Sequence, residues 1–173
     1  MSLEKASIAW SAKQLKSMVM NGKINFDHIV QRSYCWERSR KSKLIESMLI
    51  GYPIPQIFAK RAEGDTDKKQ YIILDGKQRL STVKEYLNDE FSLSVIEPIT
   101  YIDDETGTEC AKNISGKKFS ELPVALQDLL NTITFNVTYF DNLTKEEERV
   151  FKLLISVSGV GPKMALAVLS DIT

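Results

Sequence analysis

The segment Asp75-Gly76-Lys77-Gln78-Arg79 places a carboxylate, a glycine, an amide and two cations at five consecutive positions. It follows Tyr71 to Leu74, a run of aromatic, β-branched and aliphatic residues that predicts a short buried strand. Apolar residues then recur at helical spacing, which predicts a helix from Lys77 to about Leu87. These five residues therefore span the turn between a strand and the start of a helix.

A turn of this kind suits a phosphate ligand. The first amides of a helix lack intrahelical partners and carry the positive end of the helix dipole. Gly76 would let the backbone approach closely, and the Arg79 guanidinium can fork onto phosphate oxygens. Asp75 could hold a metal ion, a ribose hydroxyl or a water molecule. The alternative is structural, with Asp75 as the helix cap and Arg79 in a surface ion pair.

A small sheet must position this turn. Gln56 to Lys60 is predicted to be a strand antiparallel to Tyr71–Leu74, and Thr132 to Phe140 alternates as a strand rich in β-branched residues. Thr144 is predicted to cap the helix that follows. The remaining predictions are helices over residues 10–20, 39–50 and 123–130, short strands at 24–29 and 91–93, and a loop or weak hairpin at 96–118.

Three motifs resemble those of the ParB/sulfiredoxin-like domain at the N-terminus of GmrSD-type (type IV) restriction enzymes. The segment from Asp75 to Arg79 is similar to that family's Asp-Gly-Gln-Gln-Arg signature, with Lys77 where glutamine is usual. Residues 31–36 are similar to its early Gln-Arg-x-x-x-Trp box, and residues 44–55 to a helix ending in Gly-x-Pro-x-Pro. The motifs occur in the family's order, and the resemblance covers about residues 10 to 150.

The resemblance implies a module that binds a nucleoside triphosphate with Mg²⁺, in an anti-phage restriction system with a nuclease domain or subunit as partner, and it leaves open whether the nucleotide is hydrolysed. Asp75, Gln78 and Arg79 are the implied catalytic residues, and Asp75 is also the implied metal ligand. The implied nucleotide-binding residues are Arg32, Trp36, Gly76, Lys77, Ser81 and Thr82. Lys77 adds a charge that bears on whether hydrolysis is retained. Any hydrolysis would not be of the P-loop kind, since the chain has no Walker-type glycine loop.

The surroundings of Arg32 and Trp36 leave two interpretations open. Residues 32–43 are locally basic, and such a stretch is also typical of a solvated helix face. Trp36 could stack on a base or fill the core.

Composition limits the classes of function. The chain of 173 residues fits one domain, or one with a small appendage, and its 23 basic and 23 acidic residues balance. Nucleic-acid binding would therefore need a local patch. The single histidine, His28, and the two cysteines, Cys35 and Cys110, do not predict a zinc site or a histidine-dependent nuclease centre. Without an apolar signal core or a membrane-length run, we expect a cytoplasmic protein with no membrane partner.

The last thirty residues form a second motif. Residues 156–163, Ser-Val-Ser-Gly-Val-Gly-Pro-Lys, predict a glycine hairpin between two helices. In such a helix-hairpin-helix, Gly159 and Gly161 expose amides at a helix N-terminus, where a DNA phosphate can bind without base readout, and Lys163 adds a cation. Residues 143–173 closely resemble the first such module of the RuvA family of Holliday-junction proteins, which implies DNA backbone as a partner.

This tail stands where the restriction-enzyme family would carry an Asn-x-Gly segment after Arg149-Val150-Phe151, and that asparagine is absent. A fusion, an artefact at the boundary of the chain and coincidence in a glycine turn are three explanations. The tail either binds DNA or is mainly structural. The predicted fold is α+β, with a ParB/sulfiredoxin-like small mixed sheet and surrounding helices in residues 1–142 and a helix-hairpin-helix tail in residues 143–173.

Two functions from different classes follow. The leading hypothesis is a nucleotide-binding, NTP-hydrolysing module of a restriction system, and nucleotide-dependent thermal stabilisation lost in Arg79→Ala would favour it. The alternative is a non-enzymatic DNA-binding adaptor that uses the tail. Salt-dependent DNA binding lost on changing Gly159 and Gly161 would favour that alternative. A domain that is itself a nuclease has little support from one histidine and scattered carboxylates.

Overall fold

The computed structural model describes residues 5–26, 36–61, 70–103, 105–141 and 143–172. The strands formed by these residues are β1 (Lys5–Ser11), β2 (Ile24–Asn25), β3 (Ile57–Arg61), β4 (Tyr71–Asp75), β5 (Ile99–Ile102), β6 (Glu109–Lys112) and β7 (Thr134–Phe140). The α-helices are α1 (Ala12–Met20), α2 (Arg38–Leu49), α3 (Lys77–Leu87), α4 (Val124–Thr132), α5 (Lys145–Ser156) and α6 (Pro162–Ile172), and a 3₁₀ turn (Phe119–Glu121) precedes α4. None of the helices in these ranges is long and apolar enough to cross a membrane.

Five strands form one mixed sheet in the order β1–β7–β3–β4–β2, and β5 and β6 form a separate hairpin. The pairs β1–β7 and β3–β4 are antiparallel, whereas β3–β7 and β2–β4 are parallel. The fold is therefore α+β, as the sequence predicted. The antiparallel pairing of β3 with β4 is confirmed as well.

Helices cover both faces of this sheet. Successive residues of a strand point to opposite faces. In β3, Ile57 and Ala59 belong to a hydrophobic cluster with α1 to α4, while Phe58 between them belongs to a second cluster with α5 and α6. Phe151 of α5 and Leu169 of α6 are almost fully buried in that second cluster. The C-terminal helix pair is thus packed onto the sheet that carries the Asp75–Arg79 turn.

The start of α5 is fixed by its own sequence. The Thr144 hydroxyl accepts a hydrogen bond from the Glu147 amide, and the Glu147 carboxylate accepts one from the Thr144 amide, which makes a capping box. This confirms the predicted cap at Thr144. The hairpin after α5 turns at Gly159, whose φ of +87° is in the left-handed region, and α6 begins at Pro162.

Two local predictions were wrong, and tertiary contacts explain both. The predicted helix over residues 10–20 begins only at Ala12, since residues 5–11 form β1. Trp10 is the one buried side chain of β1, so β1 lacks the alternation of buried and exposed residues that would predict a strand. Its strand conformation comes from pairing with β7. The strand predicted at residues 91–93 is irregular, and Arg38 holds it by donating to the Leu93 carbonyl at 2.9 Å. The weak hairpin within residues 96–118 is confirmed as β5 and β6.

Candidate functional site

The Asp75–Arg79 turn connects β4 to α3 without an intervening loop, and Gly76 makes this possible. Gly76 has a φ of +97°, a conformation that costs other residues about 1–2 kcal/mol. A Cβ added there would lie 2.3 Å from Cδ1 of Ile57 in β3. The turn therefore presses against the neighbouring strand. No side chain caps α3, so the interpretation of Asp75 as a helix cap is wrong.

Asp75 and Arg79 bind each other across one turn of α3. Nη2 of Arg79 donates to Oδ2 of Asp75 at 2.9 Å and to the carbonyl oxygen of Gln56 at 3.2 Å. Nε of Arg79 is buried without a hydrogen-bond partner among the described residues. The side chain of Arg79 is 16% exposed and that of Asp75 is 36% exposed. The pair thus fixes the guanidinium while leaving the carboxylate accessible to solvent.

This turn forms one wall of a cleft whose volume is about 1040 Å³. The opposite wall is α5 together with residues 156–158 of the hairpin, and we call this space the turn–α5 cleft. Its described lining residues are Trp36, Lys60, Leu74, Asp75, Gly76, Lys77, Gln78, Arg79, Lys145, Glu148, Arg149, Lys152, Leu153, Ile155, Ser156, Val157 and Ser158.

Positive charge predominates around the turn–α5 cleft. Among the described residues that line it, the acidic side chains are those of Asp75 and Glu148. The basic side chains are those of Lys60, Lys77, Arg79, Lys145, Arg149 and Lys152. A concave site lined mainly by one sign of charge raises the local concentration of counter-ions. The arrangement therefore attracts anions, although the whole chain has no net charge.

A nearly buried triad of charged side chains forms part of the cleft wall where α5 meets β3. Glu148 is 4% exposed, and its two carboxylate oxygens bind the ammonium groups of Lys60 from β3 and Lys152 from α5. Burial alone would raise the pKa of the Glu148 carboxyl, but the hydrogen bonds from Lys152 and Lys60 lower it below the ordinary value. Glu148 is therefore a carboxylate at neutral pH, and the triad carries one net positive charge.

Trp36 lies at the rim of the cleft rather than in either hydrophobic cluster. Its backbone amide donates to Oε1 of Gln78 at 3.2 Å, which ties it to the Asp75–Arg79 turn. The Arg40 guanidinium lies 4.7 Å from the centre of its ring. The core-filling interpretation of Trp36 does not agree with this position.

The structure brings most of the predicted nucleotide-site residues together and leaves others apart. Trp36, Asp75, Gly76, Lys77, Gln78 and Arg79 all line the turn–α5 cleft. Ser81 and Thr82 do not line it, and the Thr82 side chain is fully buried. Because α3 turns these two residues away from the cleft, they do not contribute to this site. Arg32 lies outside the described residues, as do His28 and Cys35.

The α5 wall was missed by sequence reasoning. Lys145, Arg149 and Lys152 recur at i, i+4 and i+7, which places them on one face of a helix. That cationic stripe was visible in the sequence, but nothing local indicated that it would face the Asp75–Arg79 turn. No pattern in the sequence identified Lys60 as a residue of the site.

The predicted DNA-binding residues lie at the end of the α5–α6 hairpin, beside the cleft rather than in it. Gly159 has open space around its Cα, Gly161 is exposed, and neither lines the turn–α5 cleft. Lys163 is exposed and contributes to a separate groove with Gln56 and Asn136. The two hairpin glycines are therefore exposed at the surface.

The described residues can supply little of a metal's coordination. They contain no group of three histidine, cysteine or acidic side chains that could hold a metal ion. Glu148 has both oxygens bound by lysines, and Oδ2 of Asp75 is bound by Arg79. Among the described residues that line the cleft, Asp75 is the side chain that would hold a magnesium ion, with phosphate oxygens and water as the other ligands, which is how Mg²⁺ is often held in phosphate-transferring sites.

These features define an α+β domain in which a strand, a glycine turn and a helix open onto a basic cleft. Residues 15–159 match the family described as GmrSD restriction endonuclease, N-terminal domain, and the chain belongs to that family. The protein is thus a module of restriction and defence systems. The matched region includes the Asp75–Arg79 turn and the whole of α5.

The chain is also similar over shorter stretches to curated proteins named Holliday junction branch migration complex subunit RuvA. It is 60% identical over 37 residues to the one from Acetivibrio thermocellus, which is 21% of this chain and 18% of that protein. It is 34% identical over 80 residues to the one from Chlorobium phaeobacteroides, or 43% of this chain and 40% of that protein. The chain spans less than half the length of these relatives. The similarity supports a helix-hairpin-helix-like segment, which α5 and α6 form.

Proposed function

We propose that the turn–α5 cleft binds the phosphates of a nucleoside triphosphate. The observation that carries the proposal is the excess of basic side chains around an uncapped helix N-terminus in a cleft large enough for such a ligand. The amides at the start of α3 would contact one phosphate. The family to which the chain belongs supports a role in a restriction system.

Each residue of the turn has a definite role in this proposal. Gly76 allows the tight turn that brings the start of α3 to the cleft. Lys77 adds a cation at the first position of α3, and Arg79, held by Asp75, keeps its guanidinium charge in the cleft wall beside the same point. Gln78 links the turn to Trp36, whose ring would flank a base at the rim.

Hydrolysis of the nucleotide is the catalytic part of the proposal. Arg79 would offset the charge that develops on the transferred phosphoryl group, and Gln78 would position the attacking water. Asp75 is the residue that would hold Mg²⁺, which would supply further charge neutralisation. The departure at Lys77 puts a cation where the family usually has an amide, so binding and hydrolysis should be measured separately.

Thermal shift with a panel of nucleoside triphosphates, with and without magnesium, tests binding. A ligand at 100 times its dissociation constant stabilises a protein by about 2.7 kcal/mol, so the rise in melting temperature should be several degrees. We expect Arg79→Ala and Lys77→Ala to lose most of the shift. If no nucleotide raises the melting temperature of the unaltered protein, the proposal is wrong.

Lys84→Ala is the matched control for Lys77→Ala. Both lysines are on α3 and both changes remove one positive charge, but Lys84 pairs with Glu90 and does not line the cleft. Lys84→Ala should keep the full nucleotide shift. An equal loss in the two variants would indicate a general effect of net charge rather than a site at the turn.

A second candidate function is DNA-backbone binding by the α5–α6 hairpin. The 60% identity to a RuvA protein over 37 residues and the solvent-facing Gly159 and Gly161 favour it. Duplex DNA should then bind without sequence preference, and the affinity should fall steeply with salt. Lys163→Ala should weaken binding and reduce the salt slope by about one. Lys13→Ala, a change at another exposed lysine on α1, should leave both unchanged.

A further inference from the structure

We propose that Lys60 and Lys152, joined by Glu148, form a second anion subsite in the turn–α5 cleft. It would take the far end of a polyphosphate whose near end lies at the Asp75–Arg79 turn. The inference rests on the proposed phosphate binding and deepens it, because it makes the preferred ligand an extended phosphate chain rather than a single phosphate group.

The first argument is the position of the triad. Lys60, Glu148 and Lys152 all line the cleft, and they come from β3, the strand beside the turn, and from α5, the wall opposite it. The two lysine side chains are only 15% and 12% exposed. Their ammonium groups are therefore held against the cleft wall rather than extended into bulk solvent.

The second argument concerns charge. Taking a carboxylate and two ammonium groups out of water costs several kcal/mol per ion, and apolar residues of similar volume are often as stabilising. Two of the three side chains are basic and one is acidic, and two further cations, Lys145 and Arg149, lie on the same face of α5. A wall with this excess of basic side chains attracts an anion in the cleft.

The third argument is the spacing of the two subsites. Phe58 of β3 lies opposite Asp75, and Lys60 is two residues further along the same strand. Two residues of extended chain span roughly 7 Å. The backbone position of Lys60 is thus offset from the turn along β3, in the direction that a chain of linked phosphates starting at α3 would follow. The geometry therefore favours a triphosphate over orthophosphate or a nucleoside monophosphate.

Calorimetric titration with inorganic orthophosphate and inorganic triphosphate tests the inference without a base. The unaltered protein should bind triphosphate more tightly than orthophosphate. Lys152→Met keeps the aliphatic stem but removes the charge. It should raise the dissociation constant of triphosphate about tenfold or more and change that of orthophosphate by less than about twofold. Lys152→Arg should retain triphosphate affinity.

Two further variants keep the test decisive. Lys84→Met removes the same charge outside the cleft and should alter neither affinity, which excludes a long-range effect of net charge. If Lys152→Met does not fold, as judged by circular dichroism, Lys60→Met replaces it with the same expected result. Triphosphate affinity unchanged in a folded variant of either lysine overturns the subsite but leaves phosphate binding at the turn intact. Failure of the unaltered protein to bind either anion overturns the proposed function and the subsite with it.

Discussion

At the scale of single residues, Gly76 decides whether the turn can exist. Its left-handed φ and the 2.3 Å approach of Ile57 Cδ1 to an added Cβ act together. The first would cost about 1–2 kcal/mol for any other residue, and overpacking typically adds about 1–3 kcal/mol. The strand, the turn and the start of α3 can be joined directly only because no side chain is present there.

We therefore expect Gly76→Ala to lower the free energy of unfolding by about 3 kcal/mol, from backbone strain plus the steric overlap. Gly22→Ala is the control, since Gly22 has a φ of +65° but nothing within 4 Å of an added Cβ. It should cost only about 1 kcal/mol. Urea denaturation of both variants measures the difference. Equal costs would show that contact with Ile57 is unimportant.

The Asp75–Arg79 pair shows which contacts of the site could be predicted from the sequence and which could not. The sequence placed the two side chains in one turn, and the structure places both in the cleft wall. It could not show that Arg79 would also donate to Gln56, because that contact depends on the pairing of β3 with β4. Ser81 and Thr82 were assigned to the nucleotide from the family motif, and the helical rotation after Arg79 puts them elsewhere.

At the scale of elements, α5 is held to the sheet by the Lys60–Glu148–Lys152 triad as well as by Phe151. Removing one member of a buried ion group leaves the remaining charges buried without their partner, which typically costs about 3–5 kcal/mol of stability. Glu148→Gln should therefore lower the free energy of unfolding by about 3 kcal/mol at neutral pH. Glu146→Gln, a change in the exposed first turn of α5, should cost less than about 1 kcal/mol. Chemical denaturation compares the two, and equal small losses would contradict the account of the triad.

The same carboxylate predicts a pH dependence. Its pKa in the folded chain is below the ordinary glutamate value of 4.5, so the unfolded chain takes up its proton first as pH falls. The stability that Glu148 contributes is complete above about pH 4.5 and is lost as the pH drops through the lower folded-state pKa. The unfolding free energy should thus fall more between pH 6 and pH 3 in the unaltered protein than in Glu148→Gln. Glu146→Gln should follow the unaltered protein, and parallel curves for all three would contradict the assignment.

Elements with strong local signals were predictable, and those made by pairing were not. The β4–turn–α3 unit has a buried strand, a glycine and a helical period in consecutive residues, so its prediction was confirmed. β1 has a single buried side chain and is defined by its partner β7. Leu93 is fully buried in irregular chain because Arg38 binds that segment. The α5 wall of the cleft belongs to this second kind, since its facing partner is some 70 residues earlier in the chain.

At the scale of the whole molecule, the sheet is covered on both faces, and the α5–α6 pair is part of the packed structure. Leu169 of α6 is 2% exposed in the cluster with Phe58, Phe140 and Phe151. Leu169→Ala should therefore cost about 2–5 kcal/mol, the range for buried leucines. Met164→Ala on the same helix, at a side chain 56% exposed, should cost less than about 1 kcal/mol. Urea unfolding measures both, and a negligible cost for Leu169→Ala would mean that α6 is not docked on the sheet.

This packing places the two proposed functions side by side. Residues 156–158 line the turn–α5 cleft, and Gly159 and Gly161 follow immediately in the hairpin. The proposed nucleotide site and the glycines of the proposed DNA site are therefore close together in the chain.

The most direct measurement of the central claim is an NMR titration of the ¹⁵N-labelled protein with a nucleoside triphosphate and magnesium. The account predicts that the largest amide shifts fall at Gly76, Lys77 and Gln78 and along the face of α5 that carries Arg149 and Lys152. It also predicts that Lys77→Ala abolishes them at the same ligand concentration. Shifts confined to other surfaces, or an unchanged spectrum at millimolar nucleotide, would contradict the claim that this cleft binds phosphate.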